Sequence, residues 1–175
     1  MGKDLHMNRQ RHLTLIRHAK SAWDDPGLAD FERPLNQRGQ RDAPRVGRFL
    51  VQQGVSFDRM LCSTATRARQ TLDGIRQSVE IDEGNIAYLD DLYLASPGMM
   101  KSVIAAHAAN SRDVAIIAHN PGIETFAWEL SNRRVERMPT CCVVRLSFSG
   151  DNCSWQQLLH QHATLELYVL AKEID

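Results

Sequence analysis

Three short strand-like runs in this chain each stop at residues able to grip or attack an anion, and that recurrence restricts the fold more than any other feature. Leu13 to Ile16 leads into Arg17-His18-Ala19-Lys20-Ser21, Phe57 to Cys62 into Ser63 and Arg67, and Val114 to Ala118 into His119-Asn120. An open α/β sheet delivers ligand-binding and reacting groups at the carboxyl ends of its strands, so function is expected there.

The segments between these runs carry helical spacing. Gly39 to Gln53 repeats apolar residues through Ala43, Val46, Phe49 and Leu50, with Pro44 expected in or near the first turn. Ser63 or Thr64 is placed to cap a helix with Ala68, Leu72 and Ile75 on one side. Pro97 starts a helix through Ala108, and Ile123 to Leu130 suits another. Ala22 to Pro34 reads as a long polar loop, Ser78 to Ile81 as a short strand, and Ile86 to Ala95 as mainly loop or a brief helical turn. Cys141 to Phe148 alternates as a late strand, Trp155 to His160 reads as strand or turn, and Ala163 to Leu170 is expected to be structured. Alternation of this kind predicts a three-layer α/β/α sandwich with a mostly parallel central sheet.

At 175 residues and 43% hydrophobic content, the chain can enclose one sizeable core, expected as a single domain over residues 11–175. Residues 1–10 form a polar extension, part of it reading as an expression remnant, and stand outside the fold argument. Twenty-one basic side chains balance twenty-one acidic ones, so no global field recruits nucleic acid or an anionic membrane. No apolar run approaches a membrane span, and the expected location is cytoplasmic. Cys62, Cys141, Cys142 and Cys153 lack C-x-x-C pairing and read as packed thiols, Cys141 and Cys142 pointing to opposite faces if they lie in a strand. His160 and His162 lack the further ligands of a zinc site, so the reading expects no metal and no cofactor.

If the three strands are neighbours, Arg17, His18, Ser63, Arg67, His119 and Asn120 converge on one phosphate. An imidazole that attacks phosphorus replaces one difficult transfer with two easier ones, while planar guanidinium groups grip the phosphoryl oxygens. The attacking ring must be neutral, whereas its partner is most useful as a cation, so the two histidines are expected to differ in charge. Ser63 is either a helix cap or a phosphate contact, and Asn120 either braces its loop or touches substrate. Arg69 is expected to face away from the phosphate, since positions two apart do not share a helical face.

The chain resembles the histidine phosphatase, or phosphoglycerate mutase-like, superfamily. The resemblance rests on Arg17-His18-Ala19, on Ser63 through Thr71, and on Ala118-His119-Asn120-Pro121-Gly122, where alanine replaces the family's glycine at 118. More narrowly it is similar to the short bacterial phosphohistidine phosphatases, through Arg33-Pro34-Leu35-Asn36-Gln37-Arg38-Gly39 and Leu92-Tyr93-Leu94-Ala95-Ser96-Pro97. The resemblance implies His18 as nucleophile, Arg17 and Arg67 as phosphate clamps and His119 as the second catalytic histidine. Asp91, with Asp90 close behind, is the positional candidate for an acid that protonates an ester leaving group. Ser21, Ser63 and Asn120 are the candidate substrate-binding residues.

The leaving group then divides the functions. An alkoxide needs a proton urgently, whereas an imidazole protonated on its ring leaves neutral. The expected substrate is therefore a phosphohistidine-bearing protein. The alternatives are a phosphomonoesterase for a small phosphate ester or phosphoserine protein, in which Asp91 matters more, and a binding module that recognises phosphoprotein without turnover.

Overall fold

The computed structural model describes residues 10–108, 110–150 and 153–174, so the stretch 1–10 lies, Gln10 apart, outside the described residues. Six strands form one sheet in the order β3-β2-β4-β1-β5-β6. They are β1 (Arg11–Arg17), β2 (Arg59–Ser63), β3 (Ile86–Leu89), β4 (Asp113–Ala118), β5 (Val143–Phe148) and β6 (Thr164–Val169). Strands β3, β2, β4 and β1 run parallel, while β5 is antiparallel to both β1 and β6.

Alternation along the central strands sends side chains into two separate cores. Leu13, Leu15, Leu61, Val114, Ile116 and Ala118 meet α3 (Pro97–His107), α4 (Gly122–Leu130) and the short α5 (Trp155–Leu158) on one face. Ile16, Met60, Cys62, Ala115 and Ile117 meet α1 (Gln37–Gln52) and α2 (Thr66–Ile75) on the other. Strands covered on both faces have no polar side, and for that reason β2, β4 and most of β1 read as apolar runs. The result is the α/β/α layering expected from the sequence.

Several local expectations change. Ser78 to Ile81 follows the last turn of α2 and is not a strand. The edge position belongs instead to Ile86–Leu89, whose half-exposed side chains leave little hydrophobic signal, followed by a 3-10 turn at Asp90–Leu92. Helix α1 begins at Gln37 because the Asn36 side chain accepts from the Gly39 amide at 3.0 Å, which puts Pro44 two turns into the helix. Helix α2 is preceded by Ala65, so neither Ser63 nor Thr64 caps it. Cys141 and Cys142 precede β5 rather than opening it. Cys141 has φ 60° and its amide reaches the Arg17 and His18 carbonyls, both at 3.1 Å. The two thiols still go to opposite cores, and burial pushes both up to about 12. Trp155–Leu158 is helical, with Ser154 and Gln157 forming a capping box.

The topology decides where the reactive groups meet. The chain leaves β1, builds β2 and β3 beyond a gap, and returns with β4 into that gap. The parallel ends of β1, β4 and β2 therefore lie side by side, with Arg17 opposite Ala118 and Cys62 opposite Ile117 in the ladders.

Candidate active site

A cleft of about 250 Å³ opens at these strand ends, lined by Arg17, His18, Arg67, His119 and Asn120 among others. His18 directly follows β1 and is buried. Its Nδ1 lies 2.8 Å from the Ala19 carbonyl, which can only accept, so Nδ1 carries the hydrogen. Nε2 is left with a lone pair, to which Arg67 Nε donates at 3.3 Å. Burial, then the charges of Arg67 and Arg17, lower this ring to about 4 against the opposing Ala19 bond. At neutral pH His18 is an uncharged imidazole with its tautomer set by the backbone.

Helix α2 supplies Arg67 and also holds the loop that carries His18. Thr71, one turn beyond Arg67, accepts from the Ala19 amide at 2.9 Å and donates to the Arg67 carbonyl at 2.6 Å. Close backing completes the seat. A Cβ on Gly39 would fall 2.3 Å from the Lys20 carbonyl oxygen, so glycine lets α1 begin against the segment after His18.

His119 follows β4, is buried, and stands with its ring 4.9 Å from that of His18. Ser63 Oγ accepts from the Ala65 amide at 3.3 Å and lies 2.8 Å from His119 Nε2. The Ser63 hydroxyl and His119 Nε2 share one hydrogen, and His119 Nδ1 is a buried nitrogen with no protein partner. Burial first, then the neighbouring His18 ring and the charges of Arg67 and Arg17, lower His119 to about 3 against the opposing charge of Asp30. The expected difference in charge between the rings is thus absent in the unliganded protein: both are neutral, because each is desolvated beside two guanidinium groups.

Arg17 is anchored through its Nη1, which donates to the Met138 carbonyl at 2.8 Å, while its buried Nε has no partner. Glu124 of α4 organises this wall. Its Oε2 accepts from the Met138 amide at 2.6 Å and from Asn120 Nδ2 at 3.0 Å. Asn120 Nδ2 also reaches the Met138 carbonyl, at 3.2 Å, so its amide nitrogen braces the loop and its Oδ1 is buried without a partner. The Asn120–Pro121 peptide is cis. Ser21 lines the cleft and is bridged to Leu35, whereas Ser63 acts through His119.

Asp91 is exposed on the 3-10 turn after β3 and is not among the cleft-lining residues. Asp90 beside it accepts from the Thr64 hydroxyl. Among the described residues, the carboxylate lining the cleft is Asp30, from the loop that precedes α1. Arg67 Nη2 and the Tyr93 hydroxyl each donate to Asp30 Oδ2 at 2.8 Å, and Arg67 Nη1 donates to its backbone carbonyl. Burial alone would raise Asp30, but the Tyr93 and Arg67 hydrogen bonds, with the charges of Arg67 and Arg33, hold it below the usual carboxylate range. Sequence reasoning missed Asp30, Tyr93 and Glu124. Asp30 sits in a polar loop with no periodicity to single it out, while Tyr93 lay in a segment already noted for its resemblance.

Arg69, two residues from the clamp, is exposed and lies over the Tyr88 ring, as its helical position requires. A neutral nucleophilic nitrogen between two guanidinium groups can accept a phosphoryl group and stabilise the charge that develops around it.

Residues 13–92 match the model of the histidine phosphatase superfamily (branch 1). An uncharacterized protein of Mycobacterium tuberculosis is 35% identical over 147 residues, covering 77% of this chain and 88% of that protein. A structure provisionally assigned as phosphohistidine phosphatase SixA from Agrobacterium tumefaciens is 30% identical, with a TM-score of 0.72 over 79% of this chain and 92% of that one. Its counterpart from Nakamurella multipartitia is 29% identical, with a TM-score of 0.77 over 92% and 96% of the two chains. With Arg17, His18 and Arg67 inside the matched stretch, and solved relatives extending the likeness over most of the chain, the protein belongs to the histidine phosphatase superfamily and is a hydrolase of that kind.

Proposed function

We propose that the protein removes phosphoryl groups from phosphohistidine on a protein partner, through a covalent phosphoryl group on His18. The observation that carries this reading is His18 Nε2, left unprotonated by the Nδ1 bond to the Ala19 carbonyl and held by Arg67 Nε in a cleft that Arg17 and Arg67 line. Nε2 attacks phosphorus, the bond from phosphorus to the leaving nitrogen breaks, and its electron pair returns to the substrate ring. Arg17 and Arg67 hold the equatorial oxygens, and His119, held by Ser63 with its ring 4.9 Å from that of His18, stands beside them as a further donor. Water then adds to phosphorus, the bond from phosphorus to Nε2 breaks with its electron pair returning to His18, and dihydrogen phosphate departs carrying both water protons.

The chemistry of the cleft supports this substrate class. Its carboxylate, Asp30, is ionised by its partners and accepts hydrogen bonds, so it is unsuited to protonate an alkoxide. A ring-protonated phosphohistidine leaves as neutral imidazole without that help. Likeness to the two SixA-type structures supports the same choice.

The test is rapid mixing with ³²P-phosphohistidine protein, followed by quenching in base. Label is expected on wild-type protein and absent from His18→Ala, and a matched panel should show greater kcat/KM for phosphohistidine than for phosphoserine or small esters. Normal turnover by His18→Ala rejects the mechanism, and a preference for an ester rejects the substrate class.

A further inference from the structure

The Arg67 guanidinium commits three of its five N–H donors to protein partners. Nε serves His18, while Nη1 and Nη2 hold the backbone and side-chain oxygens of Asp30. When His18 Nε2 bonds to phosphorus its lone pair is spent, so Arg67 Nε–H turns to a phosphoryl oxygen while the Asp30 carboxylate keeps its place beside the fork. It remains tied to the cleft by the Tyr93 hydroxyl and by Arg33, whose Nε lies 3.9 Å from the other carboxylate oxygen. Asp30 therefore stands as an anion in the cleft, beside the seat of the phosphoryl group.

Such an anion repels a bare phosphate dianion and rewards a substrate that presents a hydrogen-bond donor or positive charge beside its phosphorus. An alkyl phosphate ester offers neither. A phosphohistidine protonated at its second ring nitrogen offers both.

Resting on the function proposed above, we infer that Asp30 is a specificity-determining residue that accepts a hydrogen bond from the free ring N–H of the substrate phosphohistidine. The surroundings suit a planar ring. Phe31, next in sequence, stands edge-on to Tyr93 with centroids 5.0 Å apart, and Tyr93 stands edge-on to His119 at 5.3 Å. The incoming imidazole enters past Trp23 and Leu94, which line the cleft, with its N–H turned to the carboxylate.

The contact acts on the chemistry as well as on binding. A carboxylate beside an imidazolium stabilises the protonated form, so Asp30 holds the substrate ring in the state that departs neutral. When His18 Nε2 bonds to phosphorus and the substrate P–N bond breaks, the electron pair stays on the departing nitrogen. The opposite nitrogen keeps its hydrogen, still shared with Asp30. No proton changes hands, consistent with an acceptor rather than an acid at this point of the cleft.

The experiment compares wild type, Asp30→Asn and Tyr93→Phe on a phosphohistidine peptide and on p-nitrophenyl phosphate, an ester whose leaving group needs no proton and has no ring N–H. Asp30→Asn is expected to lower the ratio of kcat/KM for the peptide to that for the ester by about tenfold or more, the size of one charge-assisted hydrogen bond. Tyr93→Phe, which frees the carboxylate from one partner, should lower the ratio less. If Asp30 merely holds Arg67, both substrates fall together and the ratio stands, which overturns the inference. Wild-type protein that turns over the ester but not the peptide overturns the function on which the inference rests, and is recognised without any variant.

Discussion

Lowering the pH from 7 to 5 should destabilise the folded protein because His18 and His119 resist the protons that the unfolded chain takes up. Burial beside Arg17 and Arg67 lowers the two rings to about 4 and about 3. An unfolded histidine titrates near 6.5, so between that value and the folded one the unfolded state binds more protons and stability falls with pH. At pH 5 this linkage amounts to about 2 kcal/mol for each ring, and at pH 7 it nearly vanishes. Asp30 adds nothing in this window, since its folded value lies below 3.8 and its contribution is lost only in stronger acid. Urea unfolding at the two pH values measures the effect. His18→Gln removes one titrating ring, so this variant should lose about 2 kcal/mol less than wild type over the same interval. Equal losses, or an NMR titration of His18 centred near 6.5, would refute the claim that the nucleophile is kept neutral by desolvation.

Glu124 is expected to act on catalysis without touching substrate, because its Oε2 holds the loop whose Met138 carbonyl anchors Arg17. Glu124→Ala should lower kcat/KM by about tenfold, with Glu124→Gln restoring much of it through its remaining acceptor; unchanged turnover in the alanine variant would remove the anchor from the mechanism. Gly122→Ala should cost a few kcal/mol, since its Cβ would fall 1.7 Å from the Ala95 carbonyl oxygen, whereas Gly84→Ala has nothing within 4 Å and should stay within about 0.5 kcal/mol. Thermal melts of the two variants compare them directly, and equal midpoints would contradict the packing described at the start of α4.

Legibility in the sequence followed burial. Strands β2 and β4, covered on both faces, announce themselves as short runs ending in Ser63 and His119. The edge strand β3 did not, because its half-exposed residues mix tyrosine and alanine with leucine and isoleucine and mimic a loop. Pro44 lies deeper in α1 than the apolar periodicity implies, because the Asn36 cap starts the helix before that periodicity begins. Expecting a cap from Ser63 was chemically reasonable, but its hydroxyl is drawn instead to His119, a partner more than fifty residues away.

Residue order by itself determined the layered α/β architecture, the family, and the set of arginines and histidines at strand ends, since each depends on local pattern or on short motifs. Tertiary structure alone decided the charge of those histidines and the tautomer of His18, because these depend on the depth of burial, the Ala19 carbonyl and guanidinium groups brought from distant segments. It also decided which carboxylate faces the reaction. Asp91 lies beside the conspicuous segment in sequence, yet Asp30 reaches Arg67 because a loop without pattern crosses the cleft, and no spacing rule encodes a crossing of that kind.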